Sequence, residues 1–118
     1  MTWRSFICAV RGIAAAVRKG KNIRVMFVFT GLVVALGFIF GVSLSEWAIL
    51  LLCCALVVAV EMLNTAIECV VDMVSPNYSE SAKKAKDVAA GAVLVASLFA
   101  AAVGLIIFVP YIAALAAS

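Results

Sequence analysis

Four polar residues, Glu61, Asn64, Glu68 and Asp72, stand in one apolar stretch, separated by Met62, Leu63, Ala66, Ile67, Val70 and Val71 among others. At about 100° per residue, steps of three, seven and eleven from Glu61 reach roughly 300°, 340° and 20° around a helix, so all four share one face. The run ahead of them, from Trp47 to Val60, is apolar throughout. The segment therefore reads as a membrane helix with a polar seam, where ionisable groups are costly unless paired or wetted and point to function by default. Lys86 and Asp87 form a second group at the start of a later apolar stretch. Carboxylates can hold Mg²⁺, a lysine can neutralise phosphate, and a more deeply set carboxylate can act as general base. Brought to one membrane surface, the set suits phosphoryl transfer from a nucleotide to a lipid hydroxyl. The sequence has neither Gly-x-x-x-x-Gly-Lys-Ser/Thr nor a kinase-type glycine loop, so these residues permit that chemistry without identifying it.

The elements that must position them follow from hydropathy and charge. With 118 residues, 68% hydrophobic, and a mean hydropathy of +1.28, the chain is too apolar for an ordinary soluble domain and reads as one membrane domain over residues 1–118. Between about Thr2 and Lys19, Trp3, Phe6, Ile7, Val10, Ile13 and Val17 cluster on one side of a helical wheel, while Arg4, Arg11 and Arg18 share another. That pattern predicts an amphipathic helix on the membrane surface and not a nucleic-acid binder. A cleavable signal peptide fits poorly, since the apolar residues lie among the arginines. Gly20, Lys21 and Asn22 break the pattern, and a first span follows over 25–44.

Ser43 to Glu46 reads as a short turn without Lys or Arg, placed on the far side of the membrane, with Trp47 as interfacial anchor. The second span covers 47–74 and the third 88–109, with Pro110 near its outer end. Between them lie the turn Ser75-Pro76-Asn77-Tyr78-Ser79 and a loop carrying Lys83, Lys84 and Lys86. The basic residues at the N-terminus and in this loop place both in the cytoplasm. Lys83 and Lys84 read as solvated or headgroup-facing charges. Ala89, Ala90, Gly91, Ala92, Ala96, Ala100 and Gly104 suit the third span to close helix packing. Three helices hardly enclose a polar seam alone, so an oligomer is expected. Cys8, Cys53, Cys54 and Cys69 lack ligand spacing, and the chain has no His; they read as small apolar side chains, not a zinc site. The expected fold class is an all-α membrane protein, with an N-terminal amphipathic surface helix and three transmembrane helices.

Glu61-Met62-Leu63-Asn64-Thr65-Ala66-Ile67-Glu68-Cys69-Val70-Val71-Asp72, followed by Ala85-Lys86-Asp87-Val88-Ala89-Ala90-Gly91-Ala92-Val93-Leu94, closely resembles the small prokaryotic integral-membrane diacylglycerol kinase and undecaprenol kinase family. Ala89-Ala90-Gly91 and Gly104-Leu105-Ile106-Ile107-Phe108-Val109-Pro110 resemble the undecaprenol kinase branch more. The resemblance implies a homotrimer in the bacterial inner membrane, with active sites shared between neighbouring chains. It also implies ATP and Mg²⁺ as co-substrate and cofactor and a lipid alcohol as acceptor. By position, Glu61 matches the family's catalytic carboxylate, and Asn64 and Asp72 match residues lining the site. Glu68 matches a metal ligand beside the nucleotide. Asn22, Asn77, Tyr78, Ser79, Lys86 and Asp87 match nucleotide-contacting positions. One departure stands out. The family usually has a second metal-sharing glutamate before the first span, in a pattern resembling Glu-x-Asn-x-x-x-His in the undecaprenol kinase branch. Here that segment reads Gly20-Lys21-Asn22-Ile23-Arg24-Val25-Met26, so Gly20 and Met26 occupy the places of the glutamate and the histidine, and Lys21 offers a charge to offset phosphate. Two rival readings follow: a catalytically impaired relative acting as a membrane interaction protein, or a small proton-coupled transporter with an intramembrane glutamate.

Overall fold

The computed structural model describes residues 2–118 apart from the Lys21 side chain, so the role expected of that lysine falls outside the described side chains. The chain forms four helices, α1 (Trp3–Lys19), α2 (Lys21–Phe40), α3 (Leu44–Val74) and α4 (Glu80–Ala117). The last three are long and apolar enough to cross a membrane, and no strand occurs among the described residues. The all-α membrane architecture, one amphipathic helix ahead of three spanning-length helices, is as the hydropathy pattern predicts.

Each helix begins and ends where local chemistry dictates. Thr2 caps α1, its side chain accepting from the Ser5 N–H at 3.1 Å. At the other end, Arg24 Nε donates to the Val17 carbonyl at 3.0 Å and Nη2 to that of Arg18 at 3.1 Å. A cation thus satisfies the orphan carbonyls at the negative end of α1. Ala16 and Ile23 are buried at this corner, Ile23 completely.

The α2–α3 connection is tighter than the expected four-residue turn. Gly41 takes the left-handed conformation (φ 61°) that ends α2, and the Val42 N–H bonds the Gly37 carbonyl at 3.1 Å. Ser43 then forms a capping box with Glu46: its Oγ accepts from the Glu46 N–H at 3.2 Å, and Glu46 Oε1 accepts from the Ser43 N–H at 2.9 Å. Leu44, Ser45 and Glu46 are therefore the first turn of α3.

The main apolar core lies at this end. Val42, Leu50, Ile107 and Phe108 are buried together, with Leu36, Phe40, Trp47 and Tyr111 packed on them. Gly37 matters here, because a Cβ at that position would stand 2.5 Å from the Trp47 ring. The indole lies directly on the α2 backbone. Tyr111 Oη donates to Glu46 Oε1 at 2.5 Å, joining the start of α3 to the end of α4.

Helix α4 is longer at both ends than the span over 88–109. Ser79 caps it by accepting from the Ala82 N–H at 3.1 Å, so the lysine-bearing stretch is helix and not loop. Hydropathy could not show this, because polar residues continue a helix as readily as they end it. Beyond Val109 the helix passes through Pro110 to Ala117. Proline removes one backbone donor, and the flanking apolar residues carry the helix past it.

Candidate active site

At the opposite end from the aromatic core, the corner between α1 and α2 faces the second half of α3 across a cavity of about 320 Å³. Glu61, Asn64, Glu68 and Asp72 all line it from α3, and Asn22 lines it from α2. The seam predicted from helical spacing is thus one wall of one site. Burial is graded along it: Glu61 is 3% exposed and Asn64 6%, whereas Glu68 and Asp72 are exposed. Asn64 Nδ2 donates to Glu68 Oε1 at 3.3 Å. Glu61 Oε2 and Asn64 Oδ1 are buried without any hydrogen-bond partner. Orphan buried oxygens of this kind are rare and call for a ligand or a chemical role.

The other expected site residues divide. Lys86 Nζ pairs with Asp72 Oδ1 at 2.5 Å, tying the first turns of α4 to the lower end of the seam. Asp87 does not join the cavity; its Oδ2 pairs with Lys83 Nζ at 2.6 Å, four residues back on the same helix face. Lys83, read from sequence as a solvated charge, is therefore also an ion-pair partner. Tyr78 lines a separate, more open hollow of about 440 Å³ beside Lys83, Lys84 and Asp87. Ser79 is committed to the α4 cap and bonds Ser75 Oγ at 3.3 Å, while the Asn77 carbonyl accepts from Ser75 Oγ at 2.8 Å. Gly20 lines the first cavity at the place of the expected second glutamate. A Cβ there would meet the Ala16 carbonyl oxygen at 2.9 Å.

Sequence reasoning missed Lys19, Thr65 and Cys69, all of which line the cavity. Lys19 Nζ donates to Cys69 Sγ at 2.8 Å, so Cys69 is a polar contact point and not the inert apolar side chain expected. Seen on a helical wheel, Cys69 flanks the seam at roughly 80° from Glu61, a signal its small size conceals. Nothing in local sequence brings Lys19 across from α1. The Cys69 sulfur bonded to its ammonium, with Asp72 and Glu68 farther off, raises Lys19 above the usual lysine range, so it stays charged at neutral pH. Among the described residues no three His, Cys, Asp or Glu side chains converge as a metal cage. The carboxylate and amide oxygens of Glu61, Asn64, Glu68, Asp72 and Asn22 and the hydroxyl of Thr65 are the hard side-chain oxygen donors on the described residues lining the cavity.

Three apolar helices with buried carboxylate and amide oxygens facing a cavity define a polytopic membrane protein built around a polar site within its helices. Residues 7–108 match the family model of prokaryotic diacylglycerol kinase, and the chain belongs to that family. It is 38% identical over 108 residues to an undecaprenol kinase of Bacillus subtilis, covering 92% of this chain and 88% of that one. A diacylglycerol kinase of Synechocystis sp. is 41% identical over 108 residues, covering 90% of this chain and 61% of that one. A diacylglycerol kinase of Pseudomonas aeruginosa is 34% identical over 88 residues, 75% of this chain and 72% of the other.

Proposed function

We propose that this protein is a lipid kinase that transfers the terminal phosphate of ATP to the hydroxyl of a membrane lipid alcohol, with undecaprenol as the preferred acceptor. The observation that carries the reading is the buried Glu61 carboxylate, its Oε2 without a hydrogen-bond partner, facing a cavity in a chain similar to kinases over most of its length. The acceptor assignment rests on likeness to an undecaprenol kinase over most of both chains. A carboxylate with one free oxygen, shielded from water, is suited to take a proton from a lipid hydroxyl as that oxygen attacks the terminal phosphorus. The phosphorus–oxygen bond to ADP breaks, and the lipid leaves as its monophosphate. Asn64 orients Glu68 by the hydrogen bond between them, and Asp72 holds Lys86 at the phosphate side of the cavity.

The donor set fits Mg²⁺ held largely by phosphate and water, because such a cation takes hard oxygens and few protein ligands. Glu68, exposed to the cavity beside Asn64, would hold it, and the cation would screen the phosphate charge that repels an incoming oxygen. Asn77, Tyr78, Ser79 and Asp87 belong in this reading to the outer wall of the nucleotide site, Asn22 to its inner wall. The whole chain works as one domain in the cytoplasmic membrane, with the cavity end and the N-terminus at the cytoplasmic face and copies assembled as a trimer. Exposed apolar side chains along every helix, Phe38, Leu52, Phe99 and Ile106 among them, supply surface for both lipid and neighbouring copies.

The test is transfer of labelled terminal phosphate from ATP in detergent, with undecaprenol, diacylglycerol or no lipid added, each with Mg²⁺ or EDTA. Label in undecaprenol above that in diacylglycerol, abolished by EDTA, is the expected result. A folded sample that binds ATP and labels neither lipid would favour the impaired relative, for which the glycine at position 20 is the specific observation.

A further inference from the structure

Of the cations at this end of the molecule, Lys19 is the one among the described side chains that lines the cavity of Glu61. Lys83 is neutralised by Asp87 at 2.6 Å and Lys86 by Asp72 at 2.5 Å. Arg24 is committed to the carbonyls of Val17 and Arg18. Lys19 differs: its described partner is the sulfur of Cys69 at 2.8 Å, and among the described residues no carboxylate lies within ion-pair distance of it. A thiol occupies one of three ammonium protons and leaves the charge and the other donors to a ligand. Lys19 thus brings a positive charge with no ion-pair partner among the described residues to a cavity that it shares with Glu68 and Asp72, which lie farther off, and with the buried, unpartnered oxygens Glu61 Oε2 and Asn64 Oδ1.

We infer that Lys19 is a phosphate-binding residue of this site, contacting the terminal phosphate of the nucleotide, and that Cys69 is the positioning residue that holds it there. The assignment rests on the kinase reading above. Glu68 and Cys69 both line the cavity from α3, so a lysine anchored on the Cys69 sulfur shares that cavity with the carboxylate assigned to the metal. Gly20, next to Lys19, brings no acid, and the Ala16 carbonyl stands 2.9 Å from where its Cβ would be. The corner of α1 therefore supplies a cation where a second carboxylate was expected. A phosphate with fewer metal charges to screen it is held by an ammonium instead.

The test measures ATP and ADP affinity of the full chain in neutral detergent, with Mg²⁺ and with EDTA, for wild type, Lys19→Met, Lys19→Arg and Cys69→Ala. Lys19→Met is expected to weaken ATP binding about tenfold while leaving ADP within about twofold, with and without metal. Lys19→Arg should retain most of the ATP affinity, and Cys69→Ala should lose part of it. On the unmodified chain, ATP should slow maleimide alkylation of Cys69, located by mass spectrometry, which keeps the test independent of how well the variants fold. Equal ATP affinity for Lys19→Met and wild type, or no protection of Cys69 by ATP, would overturn the assignment. A lysine holding a lipid headgroup would instead leave ATP binding unchanged in Lys19→Met and lower phosphatidylglycerol retention, which also overturns it. Wild type that binds no ATP would overturn the kinase reading as well.

Discussion

A buried acceptor oxygen without a donor is costly to keep, and the Glu61 carboxylate Oε2 and the Asn64 amide Oδ1 share that condition. Replacing such a group by an apolar one of similar size removes the cost. Glu61→Leu is therefore expected to raise thermal stability by about 1–3 kcal/mol while abolishing phosphate transfer, a trade of stability for function that unfolding in detergent would reveal. A Glu61→Leu protein less stable than wild type would mean that the carboxylate is satisfied in the folded protein. Gly20 carries the opposite expectation. Because a Cβ meets the Ala16 carbonyl, Gly20→Ala should cost about 1–3 kcal/mol by overpacking, and Gly20→Glu should suffer the same loss before any gain from its carboxylate. Denaturation midpoints of the two variants, read together, separate the steric effect from the chemical one. At this scale Glu61, Asn64, Glu68 and Asp72 were legible in sequence because one helix places them and its period is known. Lys19 and Cys69 were not legible as a pair, because fifty positions separate them and only tertiary packing brings them together.

Among the elements, the contact of α2 with α3 turns on the approach of Trp47 to Gly37. Gly37→Ala should destabilise the fold by about 1–3 kcal/mol, and Trp47→Ala should remove most of that penalty in a double-mutant cycle. Independent, additive effects would show that the indole does not rest on α2. The capping box at Ser43 and Glu46 was available in the sequence as Ser-x-x-Glu before an apolar run, yet composition alone drew it as a turn. Helix α4 taught the same lesson at its start, where Ser79 begins a helix that the lysines continue. Hydropathy finds the membrane-length segments well because lipid imposes it. Caps and polar first turns are set by single hydrogen bonds that a window average conceals.

For the molecule as a whole, the aromatic core and the polar cavity lie at opposite ends of the helices, so stability and chemistry are separated in space. Cys8 on α1 is exposed, and the proposed topology predicts that a membrane-impermeant maleimide labels it in inside-out vesicles and spares it in right-side-out ones. The reverse pattern would put the cavity on the wrong side for cytoplasmic ATP. The fold class was readable from the order of apolar and amphipathic segments, and an assembly was expected because three helices hardly enclose the seam, whereas its trimeric form was implied by resemblance alone. The measurement that bears most directly on the central claim is single-turnover phosphate transfer from bound ATP to undecaprenol by wild type and Glu61→Gln. Transfer reduced by about 10²-fold or more with ATP affinity unchanged is the predicted result. Undiminished transfer in Glu61→Gln would contradict the account, since the proton of the lipid hydroxyl would then leave by another route.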